Sequence, residues 1–322
     1  MWEKELKKAA EIIARNQTFL IACHVRPDGD TLGSSLALAI ALRRLGKKVT
    51  VLSVDGVPDT YSFLPGTADV LTDTPERGFD VAILPDSDGP ERVGDALEIV
   101  KTAKLLLSID HHGSHPPFGD AQLCDPSYAS TGEIVLELFD QLGVALDKDI
   151  ADCLMTAMVS DTGAFRFPNV TAKTFQNAAR FTAVGASASQ VAQLVYESKS
   201  FESTGLLGVV LASLEKDETG EVVWGRVTLE DFRRTGASDS DTEGIINHIR
   251  AIKGAKVALL FKETADNAVV ISLRSKDSID VSKVAQVFGG GGHMAASGCT
   301  IQATLAESER IVIEEVHKWM AS

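Results

Sequence analysis

The sequence predicts an α/β protein: a mainly parallel-sheet domain joined by a helical connector to a smaller α/β domain. Three observations predict it. Apolar runs of strand length alternate with stretches of helical periodicity through the first half of the chain. Clusters of Asp and His follow successive apolar runs, where open α/β sheets gather their ligands. At 322 residues, the chain is too long for one ordinary core and fits two domains.

In order, Leu6, Ala9, Ala10, Ile12 and Ile13 recur at helical spacing and predict an amphipathic opening helix. An apolar run at 19–23 predicts the first strand; a helix at 31–45 and a strand near 49–54 follow. Strands are expected at 79–84 and 104–109, with 91–101 helical between them. Helices are expected at 149–159 and 171–184, and residues 187–214 read as a helical, half-polar connector. Beyond it, strands near 221–229, 256–262 and 268–274, a helix at 241–252 and a short helix at 280–288 predict the smaller unit. That last helix runs into Gly289-Gly290-Gly291-Gly292-His293.

Composition narrows the function classes. A formal charge of −14 argues against a protein that coats long duplex nucleic acid, because such proteins carry a basic footprint. An acidic chain can still accept a short phosphorylated substrate if bound cations invert the local field. Cys23, Cys124, Cys153 and Cys299 form no Cys-x-x-Cys pair and read as buried thiols in a reducing compartment. No signal-like apolar core follows the charged first residues, and no run approaches the ~20 residues that span a bilayer. A cytoplasmic protein without membrane partners is expected.

The chemistry lies in the polar clusters. His24, Asp28 and Asp30 follow the first predicted strand, Asp86 the strand at 79–84, and Asp110, His111 and His112 the strand at 104–109; Asp161 ends a later helix. His24, Asp28, Asp30, Asp86, His111 and Asp161 together offer two imidazoles and four carboxylates. Taken singly, each cluster reads as a solvated loop or a helix cap. Taken jointly, they are too many donors for one cation with an open position and suit two, with one carboxylate shared. Mixed N/O donors favour Mn²⁺, with Fe, Co or Zn as alternatives, over Mg²⁺. The glycine run could be a helix C-cap and a flexible link, but its apolar neighbours favour backbone N–H groups that approach an anion. Arg274, at a predicted strand end, could clamp a phosphate or simply sit at the surface.

Four segments, in order, resemble the DHH phosphoesterases that carry a DHH-associated C-terminal domain. They are His24-Val25-Arg26-Pro27-Asp28-Gly29-Asp30, Asp110-His111-His112, Ser160-Asp161-Thr162-Gly163-Ala164-Phe165-Arg166-Phe167 and Gly289-Gly290-Gly291-Gly292-His293. Ser130-Thr131-Gly132-Glu133 falls in the same order. The resemblance implies a catalytic metal-binding domain at 1–186, the connector at 187–214 and a substrate-binding domain at 215–322 across a cleft. It implies His24, Asp28 and Asp86 on one Mn²⁺, and Asp30, His111 and Asp161 on the other, with Asp86 bridging. His112 would face the scissile phosphate, oriented by Asp110, while Arg274, Gly290, Gly291, Gly292, His293 and Arg166 would contact the substrate. The implied activity is hydrolysis of short single-stranded RNA to mononucleotides, often with removal of the 3′-phosphate of 3′-phosphoadenosine 5′-phosphate. A small-nucleotide phosphatase, a cyclic-dinucleotide phosphodiesterase and a non-catalytic nucleotide-binding regulator are the alternatives, and a homodimer stays open. Two departures from the family pattern bear on this: Pro85 precedes Asp86, with Asp88 as a rival ligand, and His115 stands where the family commonly has Asn.

Overall fold

Strands that run parallel need crossover connections, and the helices that make them bury one face on the sheet. The computed structural model, which describes residues 2–113, 118–264, 266–276 and 279–320, shows this arrangement in the first of two compact units, Met1–Ser198 and Lys199–Ser322. His115 lies outside the described residues.

The first unit contains strands β1 (Thr18–Ala22), β2 (Lys48–Leu52), β3 (Val70–Leu71), β4 (Val81–Pro85), β5 (Leu105–Asp110) and β6 (Ala121–Cys124). Its helices are α1 (Trp2–Arg15), α2 (Gly29–Arg44), α3 (Leu97–Val100), α4 (Thr131–Leu142), α5 (Lys148–Asp161), α6 (Ala172–Ala183) and α7 (Ala188–Tyr196). All six strands pair in parallel in the order β3-β2-β1-β4-β5-β6. From β1 the chain builds outward through β2 and β3, then returns to lay β4 on the other side of β1 and continues through β5 and β6. The order therefore reverses between β1 and β4, and such a switch point opens a crevice at the strands' carboxyl ends.

Helix α2 is buried nearly all round, from Gly29 to Ala39 without interruption. It crosses α5 at close range because both helices carry small residues there. A Cβ on Gly33 would stand 2.3 Å from the carbonyl oxygen of Cys153, and one on Gly29 would stand 2.7 Å from Cβ of Ser160. That crossing sets the N-terminus of α2 beside the C-terminus of α5.

The second unit carries α8 (Phe201–Ala212), β7 (Glu215–Lys216), β8 (Val222–Val227), α9 (Leu229–Thr235), α10 (Ile245–Arg250), β9 (Val257–Glu263), β10 (Val269–Ser275), α11 (Val281–Val287), β11 (Gly291–His293), β12 (Ala296–Ile301) and α12 (Leu305–Met320). Its sheet has the order β11-β12-β10-β9-β8-β7 and is antiparallel except for the β8–β9 pair.

Several expectations are revised. The expected connector at 187–214 is divided between the units: Val191 and Val195 of α7 join the first core, whereas Leu206 and Val210 of α8 join the second. The expected helix at 91–101 is a 3₁₀ segment, Pro90–Ala96, followed by the short α3. Gly94 breaks it at φ 58°, ψ −135°. A Cβ on Gly94 would fall 2.6 Å from Val25, so backbone approaches the first loop closely there. Likewise, Gly244 at φ 84° separates a 3₁₀ turn, Asp239–Thr242, from α10 inside the expected helix at 241–252.

Candidate metal centre

Each acidic or imidazole group is held by an element end. His24 and Asp28 occupy the β1–α2 connection, Asp30 lies in the first turn of α2, Asp86 follows β4, Asp110 ends β5 and Asp161 ends α5. The two strand connections flank the switch point. Asp86 itself has φ 55°, a left-handed conformation that a non-glycine residue adopts at a cost of about 1–3 kcal/mol. Its backbone N–H donates to Ile109 at 2.8 Å, which ties that turn to β5.

The side chains converge. Nε2 of His111 lies 2.9 Å from Asp161, 3.6 Å from Asp30 and 3.8 Å from Asp86. Nε2 of His24 lies 3.6 Å from the other Asp86 oxygen and 3.9 Å from Asp28. Donors bound about 2.0–2.2 Å from one cation stand roughly 2.8–4.4 Å apart, depending on the angle between them, so these spacings fit shared ions. Two groups could each hold a metal ion: His24, Asp28 and Asp86, and Asp30, His111 and Asp161. A third grouping combines Asp86, His111 and His112. In His112, however, Nδ1 is only 2.6 Å from Asp110, which places a proton rather than a metal on that nitrogen.

Surrounding groups orient the donors. Nδ1 of His24 lies 2.8 Å from the Val25 carbonyl and Nδ1 of His111 lies 3.3 Å from the Tyr128 carbonyl, so both rings turn Nε2 inward. Nε2 of His111 is buried and faces the carboxylates of Asp161, Asp30 and Asp86, the condition of a nitrogen prepared for a cation. Asp86 accepts hydrogen bonds from the hydroxyls of Thr31 at 2.8 Å and Thr131 at 3.2 Å. Asp30 accepts from Ser34 and from the backbone N–H groups of Thr131 and Gly132 at 2.6 and 3.0 Å, at the positive end of α4. Asp28 caps α2 by accepting from the N–H groups of Asp30 and Thr31.

Charge crowding fits the same reading. Desolvation, then the charges of Asp86 and Asp161, raise Asp30 well above the usual carboxylate range. Burial pushes Asp86 up, but His24, His111 and His112 outweigh it and hold the carboxyl low. Burial draws His24 down, yet Asp86 and Asp28 lift it to about 8. Four carboxylates crowded together, two of them buried, repel each other, and a divalent cation relieves that repulsion directly.

Residues 18–158 match the family model described as the DHH family, N-terminal domain, and residues 220–322 match the DHHA1 domain. The chain is 32% identical to the bifunctional oligoribonuclease and PAP phosphatase NrnA of Thermus thermophilus, over 98% of this chain and 94% of that protein. The chain belongs to the DHH family. A protein of the same name from Bacillus subtilis is 30% identical over 94% of this chain and 95% of its own. The crystal structure of an exopolyphosphatase-related protein from Bacteroides fragilis superposes with a TM-score of 0.94 at 26% identity, covering 98% of this chain and 96% of that one. The family assignment agrees with the resemblance read from the motifs, and it covers both units.

Of the remaining sequence-predicted residues, none belongs to a potential metal-holding group among the described residues. The expected rival Asp88 instead pairs with Arg92 at 3.5 Å. Arg166 is exposed; its guanidinium lies 5.6 Å from the Tyr196 ring centroid and its Nε donates to the Gly163 carbonyl. In the second unit, Arg274 is half-buried and pairs with no carboxylate among the described residues. Burial, then the charge of Arg250, lower its pKa, so an anion would be welcome beside it.

The glycine run differs from expectation: Gly291 and Gly292 are exposed, because β11 is an edge strand rather than a buried loop. Close packing explains two of the glycines. A Cβ on Gly290 would lie 2.2 Å from the Gly298 carbonyl, and one on Gly292 would lie 2.6 Å from that of Ala296. The register sets His293 and Arg274 on either side of Ala296, two strand spacings or roughly 10 Å apart along the backbone. The side chain of His293 lies outside what the structure describes.

Proposed function

We propose that the protein is a two-metal-dependent phosphodiesterase that hydrolyses short RNA oligonucleotides to mononucleotides and removes the 3′-phosphate of 3′-phosphoadenosine 5′-phosphate. The observation that carries this reading is Asp86. Its two oxygens face two different donor groups, His24 with Asp28 on one side and His111 with Asp30 and Asp161 on the other, as a bridging ligand requires. The names of the most similar relatives support the substrate class.

His24, Asp28 and Asp86 would hold one cation; Asp30, His111 and Asp161 would hold the second, with Mn²⁺ the ion best suited to mixed imidazole and carboxylate donors. Bound there, the pair supplies Lewis acidity, which activates water and neutralises charge on the departing oxygen. The chain's own groups do the rest. Asp110 accepts from Nδ1 of His112, which fixes the ring's tautomer. Burial draws His112 down, but Asp110 and Asp86 raise it, which favours the protonated imidazole that would face the developing charge of a phosphate. In the second unit, Arg274 offers a guanidinium that pairs with no carboxylate among the described residues and β11 offers edge N–H groups, both suited to a phosphorylated ligand.

The test is product analysis of 5′-labelled RNA from 2-mer to 24-mer with added Mn²⁺, alongside 3′-phosphoadenosine 5′-phosphate. Mononucleotide release that falls steeply with length supports the proposal. Equal turnover of 24-mer and 3-mer refutes the length preference, and no Mn²⁺-stimulated release from any substrate refutes the enzyme.

A further inference from the structure

Of the six donors, Asp161 is held differently. Asp28, Asp30 and Asp86 each accept at least two hydrogen bonds on their carboxylates. His24 and His111 are each fixed through Nδ1 by a backbone carbonyl. The Asp161 carboxylate meets only His111 among the described residues. Its position must therefore come from its backbone, at the last residue of α5.

Two side chains anchor that end of α5 among the described residues: the Tyr196 hydroxyl lies 3.2 Å from the Val159 and Ser160 carbonyl oxygens, and Asn169 reaches the Asp161 carbonyl itself. Nδ2 of Asn169 donates to the Asp161 carbonyl at 3.1 Å and to the Ala129 carbonyl at 3.0 Å. Both acceptors are carbonyl oxygens, so the amide's orientation is fixed by its surroundings. The Asp161 carbonyl is one of the helix-end acceptors that no intrahelical N–H reaches. Ala129 belongs to residues 128–132, the segment that also supports every other member of the second donor group. Tyr128 fixes His111, while Thr131 and Gly132 hold Asp30, and the Thr131 hydroxyl reaches Asp86. Glu133 holds this segment in turn, accepting from the N–H of Ala129 at 2.8 Å and from Asn177 at 3.0 Å. The turn that follows Asp161 needs such an anchor, because Gly163, Ala164 and Phe165 all have φ between 56° and 63°.

We infer that Asn169 is a positioning residue for the metal centre, clasping the Asp161 end of α5 to the 128–132 segment that holds the rest of the second donor group. The inference rests on the proposed two-cation centre. Its prediction is selective: loss of the clasp loosens the group of Asp30, His111 and Asp161, and spares that of His24, Asp28 and Asp86.

The experiment is Mn²⁺ titration of metal-stripped protein by calorimetry, with thermal unfolding of the same samples. Wild-type protein should show two binding events. Asn169→Ala should weaken one of them about 10- to 100-fold and leave the other within about twofold. Asn169→Asp, which keeps the volume but cannot donate when ionised, should do the same. Two unchanged events in both variants, or two events weakened equally, would overturn the clasp while leaving the centre standing. Failure of both variants to fold would make Asn169 a structural residue and overturn it too. Wild-type protein that binds no Mn²⁺ would instead overturn the centre itself.

Discussion

Replacing Gly33 by alanine tests whether the close crossing of α2 and α5 positions the donors. The added methyl would stand 2.3 Å from the Cys153 carbonyl oxygen and 3.0 Å from the Ala157 nitrogen, both backbone atoms that no rotamer change can move. A carbon–oxygen contact needs about 3.3–3.6 Å, so the helices must separate by about 1 Å. Overpacking of this kind costs about 1–3 kcal/mol, against which alanine regains about 0.5–1 kcal/mol of helix preference. At about 2–4 °C per kcal/mol, Tm should fall by several degrees. The separation also carries Asp30 on α2 away from Asp161 on α5, and a displacement of 1 Å at reacting groups costs about 10²-fold in rate. Gly208→Ala is the control: it lies in α8 with nothing within 4 Å of the added carbon, and should stabilise by about 0.4–1 kcal/mol. Calorimetry and initial rates on a dinucleotide read both effects. A Gly33→Ala protein with lowered Tm but wild-type rate and Mn²⁺ affinity would show that the crossing serves packing alone.

Other outcomes follow from the same geometry. Asp86→Ala should abolish hydrolysis and lower the number of bound Mn²⁺ ions, measured by metal analysis after dialysis, because both donor groups lose a member. Full activity in that variant would remove the basis of the mechanism. Arg274→Ala should raise KM about 10- to 100-fold with kcat nearly unchanged, as expected for one lost charge-assisted contact of about 1.5–3 kcal/mol. Asp80 is held well below the usual carboxylate range by Lys104 and by the N–H groups of Thr18 and Gln17. Its stabilisation is thus present above the unfolded carboxylate value near ~3.9 and is lost as pH falls through the lower folded value. Asp80→Asn should lower Tm at pH 7, and the gap to wild type should narrow in scans below about pH 4; a gap independent of pH would contradict this.

The parallel first domain was legible because its strands are buried on both faces and read as unbroken apolar runs, such as Phe19-Leu20-Ile21-Ala22. The candidate donors were legible because five of the six follow those runs. Asp28 shows why a single motif would mislead: it is both the helix cap that its spacing suggests and a member of a donor group. The supporting polar residues were not legible. Thr31, Ser34, Thr131 and Asn169 are ordinary loop and helix residues, and their partners lie up to 101 residues away in the chain. Nor were β6 and β12, strands of four and six residues that were not expected. The kink at Gly94 escaped as well, since the flanking residues keep a helical pattern and only the approach of Val25 shows why glycine is required.

Ser130 stands at the N-cap of helix α4, yet its side chain makes no cap among the described residues; the carboxylate of Asp30 receives the first two N–H groups instead. A donor from the first turn of α2 thus completes a helix much further along the chain. Until Thr131 and Gly132 have been made, the Asp30 carboxylate lacks the N–H groups that hold it, so its place in the donor cluster depends on a segment translated a hundred residues later.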